Sequence, residues 1–173
     1  MKRNLILLCA VVMLLVGGLQ LFTTNSEHDR RIDAAPASTS ESKMAVRVPG
    51  GGLQTHEKLG GHLIKQHVAK TEQQLNQRIA REPITSASAF YDLATAEMAV
   101  AQAIKTNQSK INAYLQHQNT HYLAINYRAA NPVGILVTQR HPTAIAVSGV
   151  KVILAQTTQI PLGYRIVTGY PSQ

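Results

Sequence analysis

Hydrophobic positions along this chain change their spacing three times. From Leu5 to Phe22 they form a nearly unbroken run, "LILLCAVVMLLVGGLQLF", about the length that crosses a bilayer as a helix. Residues 23–50 are rich in Ser, Thr, Ala and Pro and show no sustained apolar period, the composition of a linker that holds a domain away from an anchor. After Gly52 the spacing turns helical. Leu59, Leu63, Ile64 and Val68 recur at one helical face, and Leu75 and Ile79 at another. Between them, "TEQQ" offers Thr71 as an N-cap and Gln74 as its reciprocal partner, so a new helix is expected to start there, with a break near Lys70. A third helix is expected from Ser86 or Ser88 through "AFYDLATAEMAVAQAIK", burying Phe90, Leu93, Val100 and Ile104, and a short fourth in "SKINAYLQ".

Beyond the fourth helix the pattern becomes strand-like. "HYLAINYR", "VGILVTQ", "TAIAVS", "VKVILAQ" and "YRIVTGY" are short, rich in β-branched and aromatic residues, and divided by Asn-Pro, His-Pro, Ser-Gly and Pro-Leu-Gly. Helices first and closely spaced strands afterwards predict an α+β fold, N-terminal helices packed on a C-terminal antiparallel sheet. One domain, 51–173, follows the anchor at 1–22 and the linker at 23–50.

Lys2 and Arg3 precede the apolar run, which orients the N-terminus to the cytoplasm and the domain to the outer side of the inner membrane. The nearest small-residue cleavage signal, "APA" at Ala35 to Ala37, lies well downstream, which favours an uncleaved anchor over a signal peptide and secretion. Cys9, the single cysteine, sits inside the run, so the domain has neither a disulfide nor a thiolate. Charge changes the picture more. From Gly51 onward there are eleven Lys and Arg against five Asp and Glu, and Met98 to Gln173 holds six basic residues and no acid. Such a surface attracts polyanions, nucleic acid or anionic lipid.

Several chemistries lack their parts. A Ser-His-Asp triad would have to recruit Asp92, the only aspartate of the domain, and "GxSxG" is absent. No "GxxxxGK" cradles a phosphate. His117 and His121 have the spacing of a metal pair but no third ligand beside them. What remains is imidazole with cationic and hydroxyl groups, which suffices for phosphate-ester cleavage without a metal or other cofactor. A neutral imidazole takes the proton of a ribose 2′-hydroxyl, and arginine and hydroxyl donors hold the phosphoryl oxygens as charge builds.

His67 and Arg78 are the two cations that packing does not require. On one straight helix, eleven residues come to about 20° beyond three full turns but about 16 Å along the axis. They would share a face and still be too far apart for one phosphate. A bend at Thr71 would bring them together; without it they are an ordinary polar face.

"GGHLIKQHVAKTEQQLNQRI" and, a hundred residues on, "YRIVTGYP" resemble the bacterial RNase A-like domain at the toxic C-termini of contact-dependent growth inhibition (CdiA) proteins. The resemblance extends from Gly51 to the end and includes "ASAFYDLATAE" and "INAYLQ". It implies a kidney-shaped RNase A-like fold without disulfides, and endonucleolytic RNA cleavage through a 2′,3′-cyclic phosphate without a metal. By the same resemblance His67 is the general base and Arg78 stabilises the transition state. Thr168 and Tyr170 bind phosphate or base, with Tyr170 a candidate proton donor. Two residues apart on a strand, those two share a face. His62 is assigned a structural or substrate-edge role. No second histidine matches a motif for the leaving-group acid, although His121 and His141 lie near predicted strands. The implied partners are RNA, a cognate immunity protein and the membrane, with the domain monomeric. The competing expectation is a catalytically inactive, anchored module that holds RNA or another polyanion in the same basic cleft; a structural envelope protein is the third.

Overall fold

The computed structural model describes residues 46–117 and 121–173, so the expected anchor, Leu5 to Phe22, and nearly all of the linker lie outside the described residues. Among the described residues no helix is long and apolar enough to cross a membrane.

The helical period after Gly52 is realised in two pieces. Helix α1 spans Leu53–Lys58 and α2 spans Leu63–His67. Gly60, at φ 90°, interrupts what the spacing of Leu59 and Leu63 suggests as one helix, because a left-handed residue cannot continue the ladder. The chain then breaks again. Val68 is extended and Ala69 takes φ 54°, a conformation that costs a non-glycine residue about 1 kcal/mol or more. Thr71 caps α3, Glu72–Arg81: its side chain accepts from the Gln74 N–H while the Gln74 side chain accepts from the Thr71 N–H.

Ser86 does not begin a helix: Ser86–Phe90 is strand β1, and the cap belongs to Asp92, whose carboxylate accepts from Thr95 N–H at 2.7 Å to start α4, Leu93–Thr106. Alanine's helical preference yields here to pairing and close burial, for Ala87 and Ala89 pack against Leu75 and Val137. Helix α5, Gln108–Leu115, follows.

The remaining strands fall where the β-branched runs predict: β2 Leu123–Arg128, β3 Gly134–Thr138, β4 Ile145–Val147, β5 Gly149–Gln156 and β6 Tyr164–Ser172. They form two antiparallel three-stranded sheets rather than one, in orders β1-β3-β4 and β2-β5-β6. The α+β class and antiparallel pairing stand. The helices-then-strands order does not, since β1 lies between α3 and α4. The larger core sits between α4 and the β2-β5-β6 sheet, with Val100, Ile104, Ile125, Val152 and Leu154 at 2% exposure or less. The smaller lies between α3 and the other sheet.

The strap before α1 is part of this unit. Val48 is buried, and the buried carboxylate of Glu97 accepts from the N–H groups of Val48 and Leu53, each at 2.7 Å. His56 ties it down further: Nε2–H donates to Pro49 O at 2.9 Å and Nδ1 accepts from Ile166 N–H at 3.1 Å. A carbonyl can only accept and an amide N–H can only donate, so this ring is locked neutral.

Candidate active site

A cavity of about 1060 Å³ opens where the two sheets meet. One wall is the face of the first sheet bearing Ser86, Ser88, Leu136 and Thr138, paired Ser86 to Thr138 and Ser88 to Leu136. Opposite residues in an antiparallel pair present their side chains to one face. The other sheet contributes Thr168 and Tyr170 of β6, and α2 and α3 contribute His62, His67 and Arg78. The four site residues expected from the sequence, His67, Arg78, Thr168 and Tyr170, thus line one cavity.

His67 ends α2 and is buried, at 8% exposure. Its Nδ1–H donates to the buried Ser88 carbonyl at 2.9 Å. Because that carbonyl can only accept, the proton resides on Nδ1 and Nε2 keeps its lone pair. Burial pushes the imidazole down to about 4, opposed by the Ser88 hydrogen bond and reinforced by the positive fields of Arg78 and His62. The ring is therefore neutral at pH 7. It lies against Tyr170, with ring centroids 5.3 Å apart and planes tilted by 34°.

Arg78 reaches the same cavity from α3, on the far side of the break at Val68 to Lys70. The single-helix geometry, with its 16 Å separation, does not apply. After α2, Val68 bridges Phe90 in parallel and Ala69 N–H donates to Phe90 O at 3.0 Å, stitching the break to the open edge of β1. The Arg78 Nε–H donates to Glu82 Oε2 at 2.8 Å, one helical turn on. That pair orients the guanidinium, and its Nη groups hold the remaining donors.

Thr168 and Tyr170 depend on an irregularity in β6. Leu154 pairs with Ile166 but Ile153 pairs with Thr168, so Val167 is an extra residue. The burial pattern records the consequence. Tyr164 and Ile166 are buried in the core, then the buried positions shift to Gly169 and Pro171. In a regular strand Thr168 and Tyr170 would continue the face of Tyr164 and Ile166; the bulge turns them to the cavity. Thr168 Oγ1 is buried and has no hydrogen-bond partner among the described residues, a cost of about 1–3 kcal/mol that a bound acceptor or donor would recover. Close packing supports the wall. A Cβ on Gly169 would come within 2.9 Å of Leu63 on α2, and one on Gly134 within 2.6 Å of Pro171 on β6.

His62 lies at the cavity edge, its N–H donating to the bulge carbonyl of Val167 at 2.9 Å. Arg140 and His141, on the turn between β3 and β4, line the cavity as well. His121 is not among the lining residues. Helix α5 ends at Leu115, so His117 and His121 do not share a helix, and among the described residues no group of three metal-binding side chains gathers. Sequence reasoning missed Ser88, which acts through a backbone carbonyl and leaves no residue signature, and Glu82, whose spacing of four from Arg78 was a legible signal.

The family model of the bacterial CdiA-CT RNAse A domain matches residues 61–171, more than half of the chain and all four of these positions. Among solved structures, a chain of a CdiA-CT/CdiI complex from Y. kristensenii 33638 is similar to this one, with 41% identity and a TM-score of 0.62, covering 65% of this chain and 100% of that chain. No curated protein matches.

Proposed function

The chain belongs to the bacterial CdiA-CT RNAse A domain family, and on that premise we propose that it is a metal-independent endoribonuclease that cleaves RNA through 2′-hydroxyl attack to a 2′,3′-cyclic phosphate. Membership makes it a ribonuclease-type toxin domain. The observation that carries the finer reading is the cavity that His67, Arg78, Thr168 and Tyr170 line together.

In this reading His67 Nε2 takes the 2′-hydroxyl proton, since Nδ1 is committed to Ser88. As O2′ closes on phosphorus, the Arg78 Nη groups donate to the non-bridging oxygens, where negative charge grows. The unpartnered Thr168 hydroxyl and Tyr170 bind phosphate or base. Charge supports a polyanionic substrate. Each of the domain's five acids is committed within the fold: Glu57, Glu72, Glu97 and Asp92 accept from backbone N–H groups, and Glu82 pairs with Arg78. With eleven Lys and Arg against those five acids, the field of the domain is positive on balance.

The similar solved chain stands in a CdiA-CT/CdiI complex, and by that likeness this chain is expected to take a cognate immunity protein. The Leu5 to Phe22 run, in the same reading, anchors it in the inner membrane with the domain in the periplasm, or directs its secretion.

The test is RNA cleavage by the purified protein in EDTA. The expected products carry cyclic-phosphate ends, and His67→Ala is expected to lower the rate by about 10²-fold or more with the circular dichroism spectrum unchanged. Full activity in that variant removes the assigned base. Salt-sensitive RNA binding by a wild-type protein that cleaves nothing would favour the binding-module alternative.

A further inference from the structure

Two protons move in the proposed reaction, one off the 2′-hydroxyl and one onto the departing 5′-oxygen, and His67 accounts only for the first. Entering and leaving oxygens stand roughly in line across phosphorus, so the second proton must come from across the cavity, not from beside the base. Three other side chains that can give up a proton from nitrogen or phenol line it: His62, Tyr170 and His141. His62 caps α2, which His67 ends, and its charge acts on the His67 ring. Tyr170 is in ring contact with His67. Both flank the base.

His141 stands elsewhere. From Ser88, which holds His67, the cavity wall runs two residues along β1 to Ser86, about 7 Å, and Ser86 pairs with Thr138. Thr138 and His141 close the β3–β4 turn through reciprocal backbone hydrogen bonds of 3.0 and 3.1 Å. Though exposed, this turn is pinned on two sides. Gln139 donates to Thr85 O and Ile84 O ahead of β1. From α3, Asn76 donates to Pro142 O at 2.8 Å and Glu72 accepts from Ala144 N–H at 2.7 Å. These bonds use the turn's backbone and its Gln139 side chain, and they leave Arg140 and His141 on the cavity. A turn held this firmly along the wall fixes Arg140 and His141 on the cavity.

We propose that His141 is the leaving-group acid, an assignment that rests on the ribonuclease reading above. As the O2′–P bond forms, the 2′-hydroxyl proton passes to His67. As the P–O5′ bond breaks, the imidazolium of His141 gives its N–H proton to O5′. The products are the 2′,3′-cyclic phosphate and a free 5′-hydroxyl. The two imidazoles end with exchanged protonation, which solvent restores.

The experiment compares two leaving groups in the full-length protein. RNA releases an alkoxide that needs a proton, whereas nucleoside 3′-(4-nitrophenyl phosphate) esters release a nitrophenolate that does not. His141→Ala is expected to slow RNA cleavage by about 10²-fold or more and ester cleavage by less than tenfold, while His67→Ala slows both. His141→Gln, which keeps N–H donors but cannot transfer a proton, is expected to follow His141→Ala. Equal losses on both substrates, loss on neither, or full RNA cleavage by the glutamine variant overturns the assignment. A wild-type protein inactive on both substrates removes the ribonuclease reading itself, and the assignment with it.

Discussion

Burial and a single carbonyl decide what His67 can do. Ser88 O fixes the proton on Nδ1, and burial, with the fields of Arg78 and His62, holds the ring's value at about 4. A general base must be unprotonated, so the acid limb of kcat/KM on RNA is expected near pH 4, which a pH–rate profile on the free enzyme reads directly. An acid limb near 6.5 would show that the ring is not held as described. Arg78 is less replaceable by charge than by shape. Its Nε is occupied by Glu82, so two Nη groups are needed to meet two phosphoryl oxygens, and a lysine offers one point charge. Arg78→Lys is expected to lower kcat by about tenfold or more, measured under saturating RNA. Both residues were legible in the sequence as polar groups that packing does not require; that His67 is neutral and which nitrogen holds its proton were not, because burial and a backbone atom twenty-one residues away set them.

Among the elements, the capping box at Thr71 was legible because its parts are local: a hydroxyl and an amide three residues apart. Removing it with Thr71→Ala is expected to cost about 1 kcal/mol of unfolding free energy, measured by urea titration, with a further loss of activity because α3 carries Arg78. Strand β1 was not legible. "SASAF" has serines that resemble caps and alanines that favour helix, and only the pairing partner, β3, makes an extended chain the better burial. The β6 bulge was hidden for the same reason. "YRIVTGY" alternates evenly enough to read as a regular strand, and the extra residue exists only relative to β5. Gly134 belongs to the same class of tertiary demand: a Cβ there would enter Pro171 and the Ala89 carbonyl. Gly134→Ala is expected to destabilise the fold by about 2 kcal/mol or more, seen as a lower urea midpoint and a disturbed β1–β3–β6 contact.

At the scale of the whole molecule, two buried histidines make the fold acid-sensitive. His67 falls from its ordinary 6.5 to about 4, and His56 is lowered as well, first by burial. A value depressed on folding contributes stability that is fully present above pH 6.5 and is lost as pH falls through that point towards 4. For His67 the full shift corresponds to about 3 kcal/mol. The urea midpoint is therefore expected to fall between pH 7 and pH 4, and to fall less in His67→Ala. His56 adds to the loss, since protonating Nδ1 would set two donors, its own N–H and that of Ile166, against each other.

By itself, the sequence determined whatever depends on neighbours along the chain. The helix break before Thr71, five of the six strands, the antiparallel α+β class, the excess of cations and the unexplained pair His67 and Arg78 follow from local spacing and composition, while Thr168 and Tyr170 were marked by the family resemblance. Only the tertiary structure decided that there are two sheets, that β1 lies among the helices, and that Val167 turns Thr168 and Tyr170 out of the core. It also decided that a cavity at the meeting of those sheets joins them to His67 and Arg78 and brings His141 to its lining. These depend on which strands pair and in what register. Register is settled by burial summed over residues far apart in sequence, which no local pattern records.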